Sequence, residues 1–262
     1  VRAAEGSSTH IDPGANPAGA DAACPPLSDD ADDLDDADGA MAVMIDGSMS
    51  IATQTDRATA IVDLVERSTA DRQVAVTIGS FGGTDAEVRF SRCLDGQLFI
   101  PDGNNARTRE RNRPELIEGL TTLVDGLPAD YESSDPTSAL RAGVTRLTSS
   151  TVDGPRVLVI HTDGMATAGC AALPETVELG AAADELLTSL VANCEDDGQL
   201  PDATGVDVVI GGIGRTDADL DDAAVTFLLE LNLALCESTG ATCSVDPNLP
   251  TDVWPAADSD DD

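Results

Sequence analysis

The sequence predicts an α/β fold: a Rossmann-like open, mostly parallel sheet with helices on both faces and one antiparallel edge strand. Two observations carry this reading. Short apolar runs alternate with segments of helical period along most of the chain, the pattern of a parallel sheet covered on both sides. Hydrophobic residues make up 41% of 262 positions while aromatics supply only 2%, so a sizeable core is available and aliphatic side chains must fill it.

Taken in order, residues 1–39 are rich in Ala, Gly, Pro, Ser and Asp without hydrophobic period, and read as a disordered or extended acidic arm pinned at Cys24. DDADDLDDADG within it fails as a calcium loop. Leu34 stands where the first Asp is needed and Ile45 where a closing Glu is needed, so a solvated acidic linker is expected. Residues 40–246 form the expected domain. MAVMID (41–46) is a short apolar run ending in an acid, which suits a buried strand with a functional carboxyl end. A helix is expected over 53–69, with Ala58, Ile61, Val62 and Val65 at helical spacing. VAVTIGSF (74–81) is the next strand, and AEVRFSRCL (86–94) alternates as an edge strand does. PELIEGLTTLVDGL (114–127) opens with Pro at a first helical position and ends near a Gly.

A second helix follows over 137–147, and RVLVIHTDG (156–164) is the clearest buried strand. Beyond it come a helix over 179–194, a strand over 205–214, an amphipathic helix over 217–238 and a last short strand at 242–245. Residues 247–262 are an acidic tail, and no internal repeat is visible.

Charge excludes several functions. Forty-nine acids face fourteen bases, all Arg, for a formal net charge of −35. A field of that sign repels nucleic-acid phosphates and anionic lipid, and favours cations and basic partners. A high-salt habitat is an equally good source of such acidity. No apolar run approaches the roughly 18 residues of a membrane span, so direct insertion is not expected. The six cysteines contain no CxxC pair, and His10 and His161 are too few for a zinc finger, which leaves three disulfides and an oxidising compartment. Fifteen pairings are possible. Cys24–Cys93, Cys170–Cys194 and Cys236–Cys243 are expected because each brackets one structural excursion; buried free thiols are the alternative. VRAAEGSS lacks a signal-peptide pattern, which suits a secreted or cell-surface protein whose signal has been removed.

Ligands of such sheets bind at the carboxyl ends of the strands, near the switch point of strand order. There Asp46 begins DGSMS, an Asp-x-Ser-x-Ser motif with oxygen side chains at alternate positions of a loop. One carboxylate and two hydroxyls suit a hard cation such as Mg²⁺, Mn²⁺ or Ca²⁺. The motif follows an apolar strand, precedes a helix and is matched later by VLVIHTDG. This arrangement resembles the von Willebrand factor type A family over about residues 40–246.

In that family a metal-ion-dependent adhesion site uses DxSxS, a Thr from a second loop and an Asp from a third. The resemblance implies metal ligation by Asp46, Ser48 and Ser50, and by Asp163 within TDG. The second loop, YESSDPTSAL, departs from the family's usual G-x-T-D-x-x-x-A-L. Counting back from Leu140 selects Ser134, with Asp135 supporting the loop, whereas Thr137 is the candidate if the loop shifts by three residues. The resemblance further implies a protein partner that offers a carboxylate to the metal, and so a non-catalytic adhesion or recognition module. A structural or assembly component of a surface filament or secreted complex is the alternative, its metal face docking a subunit or standing unused. His161 is expected to be a core or sheet residue, and no nucleophile–His–acid order supports a hydrolase. GGIG (211–214) lacks the features of a phosphate loop. The arginines of residues 107–113 are expected in a solvated loop.

Overall fold

The computed structural model describes residues 24–35, 37–52, 57–174, 183–216, 220–251 and 253–254. Its strands are β1 (Gly39–Asp46), β2 (Val74–Phe81), β3 (Arg89–Leu98), β4 (Arg156–His161), β5 (Asp207–Gly211) and β6 (Thr242–Asp246). Its helices are α1 (Met49–Ala52), α2 (Arg57–Ser68), α3 (Ala106–Asp125), α4 (Pro136–Ser149), α5 (Ala183–Asp196) and α6 (Asp222–Glu237). The strands form one sheet in the order β3-β2-β1-β4-β5-β6. Only the β2–β3 pair is antiparallel. The expected fold class is therefore observed. The chain leaves β1 toward one edge and returns to β4 on the other side, so the switch point lies between the carboxyl ends of β1 and β4.

Period-two alternation in β1 divides the core in two. Ala40, Ala42 and Met44 face Leu140, Val144 and Leu147 of α4 together with Leu228, Leu231 and Leu235 of α6. Met41, Val43 and Ile45 face Ile61 and Val65 of α2 and Leu116, Leu120 and Leu123 of α3. The small side chains of the first set let α4 lie close to the sheet. Gly143 makes the closest approach, since a Cβ there would lie 2.3 Å from Leu158 Cδ1. Leu158 is fully buried and has little room to yield. Gly143→Val should therefore cost about 1–3 kcal/mol, read as a lower urea midpoint at unchanged slope.

Several boundaries differ from expectation. Helix α3 begins eight residues earlier than Pro114 because Asn105 caps it, its side chain accepting the Thr108 N–H at 3.0 Å. The arginine run is thus helical rather than a free loop. Arg109 pairs with Asp30 at 2.7 Å, and Arg113 donates to the Glu66 carbonyl at 2.8 Å. Pro114 lies inside the helix, at the cost of one backbone hydrogen bond. Ala86 and Glu87, expected in the edge strand, instead belong to a 3-10 turn (Asp85–Glu87) closed by the Thr84 N–H donating to Glu87 Oε2 at 3.1 Å. Strand β4 stops at His161, and Thr162, Asp163 and Gly164 leave the sheet. The expected helical residues 53–56, 179–182 and 217–219 lie outside the described residues.

The 29–39 segment is not wholly solvated as expected. Asp29–Asp32 forms a 3-10 turn that buries Ala31, and Leu27 bridges to Pro101. Past β6, the Trp254 indole N–H donates to the Ser68 carbonyl at 2.9 Å. All three expected disulfides are present: Cys24–Cys93, Cys170–Cys194 and Cys236–Cys243. Such bridges fit an oxidising compartment. Among the described residues, no helix is long and apolar enough to cross a membrane.

Candidate functional site

Asp46 ends β1 at the switch point and is fully buried. The chain turns away at Gly47, where a side chain has no room: a Cβ would lie 2.6 Å from the Pro128 carbonyl and 2.7 Å from the Tyr131 ring. The close fit lets the second loop lie against the first. The Tyr131 N–H donates to the Gly47 carbonyl at 3.0 Å, and the Met49 N–H to the Tyr131 carbonyl at 3.3 Å. These ties bring Ser134 over Asp46.

The Asp46 carboxylate gathers the cluster. Oδ1 accepts the Ser48 N–H at 2.9 Å, while Oδ2 accepts the hydroxyls of Ser134 and Thr162, each at 2.7 Å. Each hydroxyl directs its proton at the carboxylate; Ser134 so keeps its oxygen lone pairs for another partner, whereas Thr162 Oγ1 also accepts the Gly164 N–H at 3.1 Å. Ser48 and Ser50 place their hydroxyl oxygens 3.0 Å apart. Asp163 follows β4, is fully buried, and accepts the Met165 N–H on Oδ1 at 2.9 Å. Its Oδ2 is buried with no hydrogen-bond partner. That is the one orphaned carboxylate oxygen of the cluster.

Burial raises the Asp46 pKa above its ordinary value, against the stabilising Ser134 hydroxyl, Ser48 amide and Thr162 hydroxyl. Burial likewise pushes Asp163 up to about 6; the Asp46 charge adds to the rise, while the Met165 amide and nearby Ser50 hydroxyl oppose it. Two desolvated carboxylates thus lie in one cluster, and Asp163 has the weaker polar compensation, a condition that a bound cation would relieve. Beneath them Arg57 is buried and its Nη1 donates to the Asp46 carbonyl at 3.4 Å. His161 is a buried sheet residue, and burial followed by the charges of Arg57 and Arg215 lowers it to about 4.

The structure therefore brings Asp46, Ser48, Ser50, Ser134 and Asp163 to one place. Thr137 is turned elsewhere: its hydroxyl donates to Asp135 Oδ1 at 2.6 Å. Asp135 caps α4, also accepting the Thr137 N–H at 3.0 Å, and burial raises its pKa. Sequence reasoning missed Thr162, whose hydroxyl completes the Asp46 shell; the residue before the Asp of TDG was the available signal. It also missed Arg57. The donors are all oxygen. Among the described residues no three His, Cys, Asp or Glu side chains gather to hold a metal, so a cation here would rely on two carboxylates, hydroxyls and water.

Fold and site together define an α/β domain with a buried cluster of oxygen side chains at its switch point. Solved structures similar to it include the pilus adhesin SpaC of Lactobacillus rhamnosus GG in its open conformation (12% identity, TM-score 0.40, 79% of this chain and 27% of that one). Others are a von Willebrand factor type A protein of Catenulispora acidiphila (12% identity, TM-score 0.40, 80% and 38%) and BatB of Bacteroides thetaiotaomicron (14% identity, TM-score 0.40, 81% and 91%). The present chain spans about a quarter of the pilus adhesin chain that it matches. No family model matches the sequence, and no curated protein does.

Proposed function

We propose that this domain is an extracellular or cell-surface recognition module that binds a protein partner through a divalent cation, Mg²⁺ with Mn²⁺ or Ca²⁺ as substitutes. Asp46, Ser48, Ser50, Ser134 and Asp163 would hold the cation, and Thr162 would orient Asp46. The observation that carries the reading is the buried, partnerless Asp163 Oδ2 beside a second buried carboxylate, Asp46, whose partner Ser134 keeps its oxygen lone pairs free. A bound cation would supply a coordination position for a carboxylate of the partner, and its charge would offset repulsion between two acidic surfaces. The role is binding without catalysis. A chain at −35 is not expected to bind nucleic acid or insert into a membrane.

Thermal unfolding with and without Mn²⁺ at matched ionic strength tests this, for wild type and Asp46→Ala. The variant is needed because so acidic a chain attracts divalent ions everywhere. A specific site at about 100 times its dissociation constant adds about 2.7 kcal/mol, a shift of several degrees. Wild type should shift and Asp46→Ala should not. Equal shifts, or none in either, would reject the cation.

A further inference from the structure

We propose that Thr167, in a loop stapled by the Cys170–Cys194 disulfide, is a positioning residue that aims Ser134 at the cation pocket. This rests on the divalent-cation reading of the same pocket. The Ser134 peptide is gripped on both sides. Its N–H donates to the Thr167 hydroxyl at 2.9 Å, and its carbonyl accepts the N–H groups of Thr167 at 2.9 Å and Ala168 at 3.1 Å. Thr167 thus helps to fix both peptide planes that flank the Ser134 Cα, and with them the direction of the hydroxyl that reaches Asp46. The loop also closes over the next residue. At Gly169 (φ 78°) a Cβ would lie 2.4 Å from the Asp135 carboxyl carbon, so only glycine fits.

The grip has an anchor. Cys170, one residue beyond Gly169, is joined to Cys194, which is fully buried near the end of α5. The Cys194 carbonyl accepts the Gln199 N–H at 3.0 Å. Gln199 in turn accepts two hydrogen bonds from Arg141 Nη1, each 2.9 Å, on its carbonyl and its side-chain oxygen. Arg141 belongs to α4, the helix that Asp135 caps. Ser134, Thr167, Cys170, Cys194, Gln199 and Arg141 therefore form a closed circuit. A loop free at Cys170 would hold Thr167 only through its own backbone contacts. Thr167 itself is exposed, so its hydroxyl contributes little burial and its main consequence is the orientation of Ser134.

Calorimetric titration of the full chain with Mn²⁺ at physiological ionic strength decides the matter. Thr167→Val removes the hydroxyl acceptor while keeping size and the backbone contacts; Thr167→Ser restores the acceptor. Loss of an outer partner of a metal ligand typically weakens affinity about 10–100-fold. Thr167→Val should fall in that range, Thr167→Ser should bind nearly as wild type, and the melting temperatures of all three in chelator should stay close. Cys170→Ser/Cys194→Ser provides the second arm and should weaken Mn²⁺ binding at a temperature where it remains folded. Wild-type affinity in Thr167→Val and in the cysteine variant would overturn the proposal. So would a Thr167→Ser variant as weak as Thr167→Val. If wild type binds Mn²⁺ no better than Asp46→Ala, the cation reading itself fails and the positioning role falls with it.

Discussion

Reduction of the three disulfides should unfold the domain at room temperature. The bridges span sequence separations of 69, 24 and 7 residues, in loops that do not overlap. In the chain-entropy model each restricts the unfolded chain by about 2–4 kcal/mol, together roughly 10 kcal/mol. The total stability of a natural domain is about 5–15 kcal/mol, so the bridges account for most of what is available. Repulsion among charges summing to −35 works in the same direction. Far-ultraviolet circular dichroism in a phosphine reductant at low salt should show loss of helix, and molar salt should restore part of it. A melting curve unchanged by reductant would show that the aliphatic core alone holds the fold.

Asp163→Asn should stabilise the cation-free protein at neutral pH and abolish its response to Mn²⁺. The Asn oxygen still accepts the Met165 N–H, and the amide takes the place of Oδ2, which has no partner to lose. Because the folded pKa is raised from 3.8 to about 6, the native protein takes up the Asp163 proton before the unfolded chain does. Stability from this group is therefore present at low pH and lost as pH rises through 6, a change of about 3 kcal/mol. His161 acts in the opposite sense. Lowered to about 4, it stays neutral in the fold while the unfolded chain protonates near 6.5, so its contribution is lost as pH falls between those values. In wild type the two slopes nearly cancel. In Asp163→Asn the Asp163 slope no longer opposes that of His161, and the variant should lose roughly 3 kcal/mol relative to wild type between pH 7.5 and 4. An amide buried without a partner costs about 1–3 kcal/mol, which leaves a net gain of about 0–2 kcal/mol at pH 7.5. Urea unfolding in chelator across this range, for both proteins, supplies the comparison; parallel pH curves would refute it.

Much of the frame was legible because buried parallel strands are near-continuous apolar runs. MAVMID and RVLVIH could be little else, and the acid that ends the first (Asp46) and the one two residues past the second (Asp163) fall where a doubly wound sheet binds ligands. The second loop was harder. Whether Ser134 or Thr137 meets Asp46 depends on the Tyr131–Gly47 contacts and on Thr167, none of them local to the SSDPT segment. Thr162 was missed for a different reason. Strand alternation places 161 and 163 on one side and 162 on the other, but the chain leaves the sheet after His161, and both Thr162 and Asp163 then reach the pocket. The start of α3 was obscured by composition: apolar period begins only at Leu116, whereas the helix is set by the Asn105 cap and by the partners of Arg109 and Arg113.

Both outermost strands carry half of a disulfide, Cys93 in β3 and Cys243 in β6. An open sheet ends in two rows of unpaired peptide groups, each a template on which a stray strand can dock and begin a polymer. At one margin the covalent tie from Cys24 fixes its backbone beside β3; at the other, Cys236 draws the end of α6 onto β6. The two margins most exposed to runaway growth are thus the two that cannot peel away or realign while oxidised. Wherever the bridges stay oxidised, such protection against fibre formation is as consequential as the added stability.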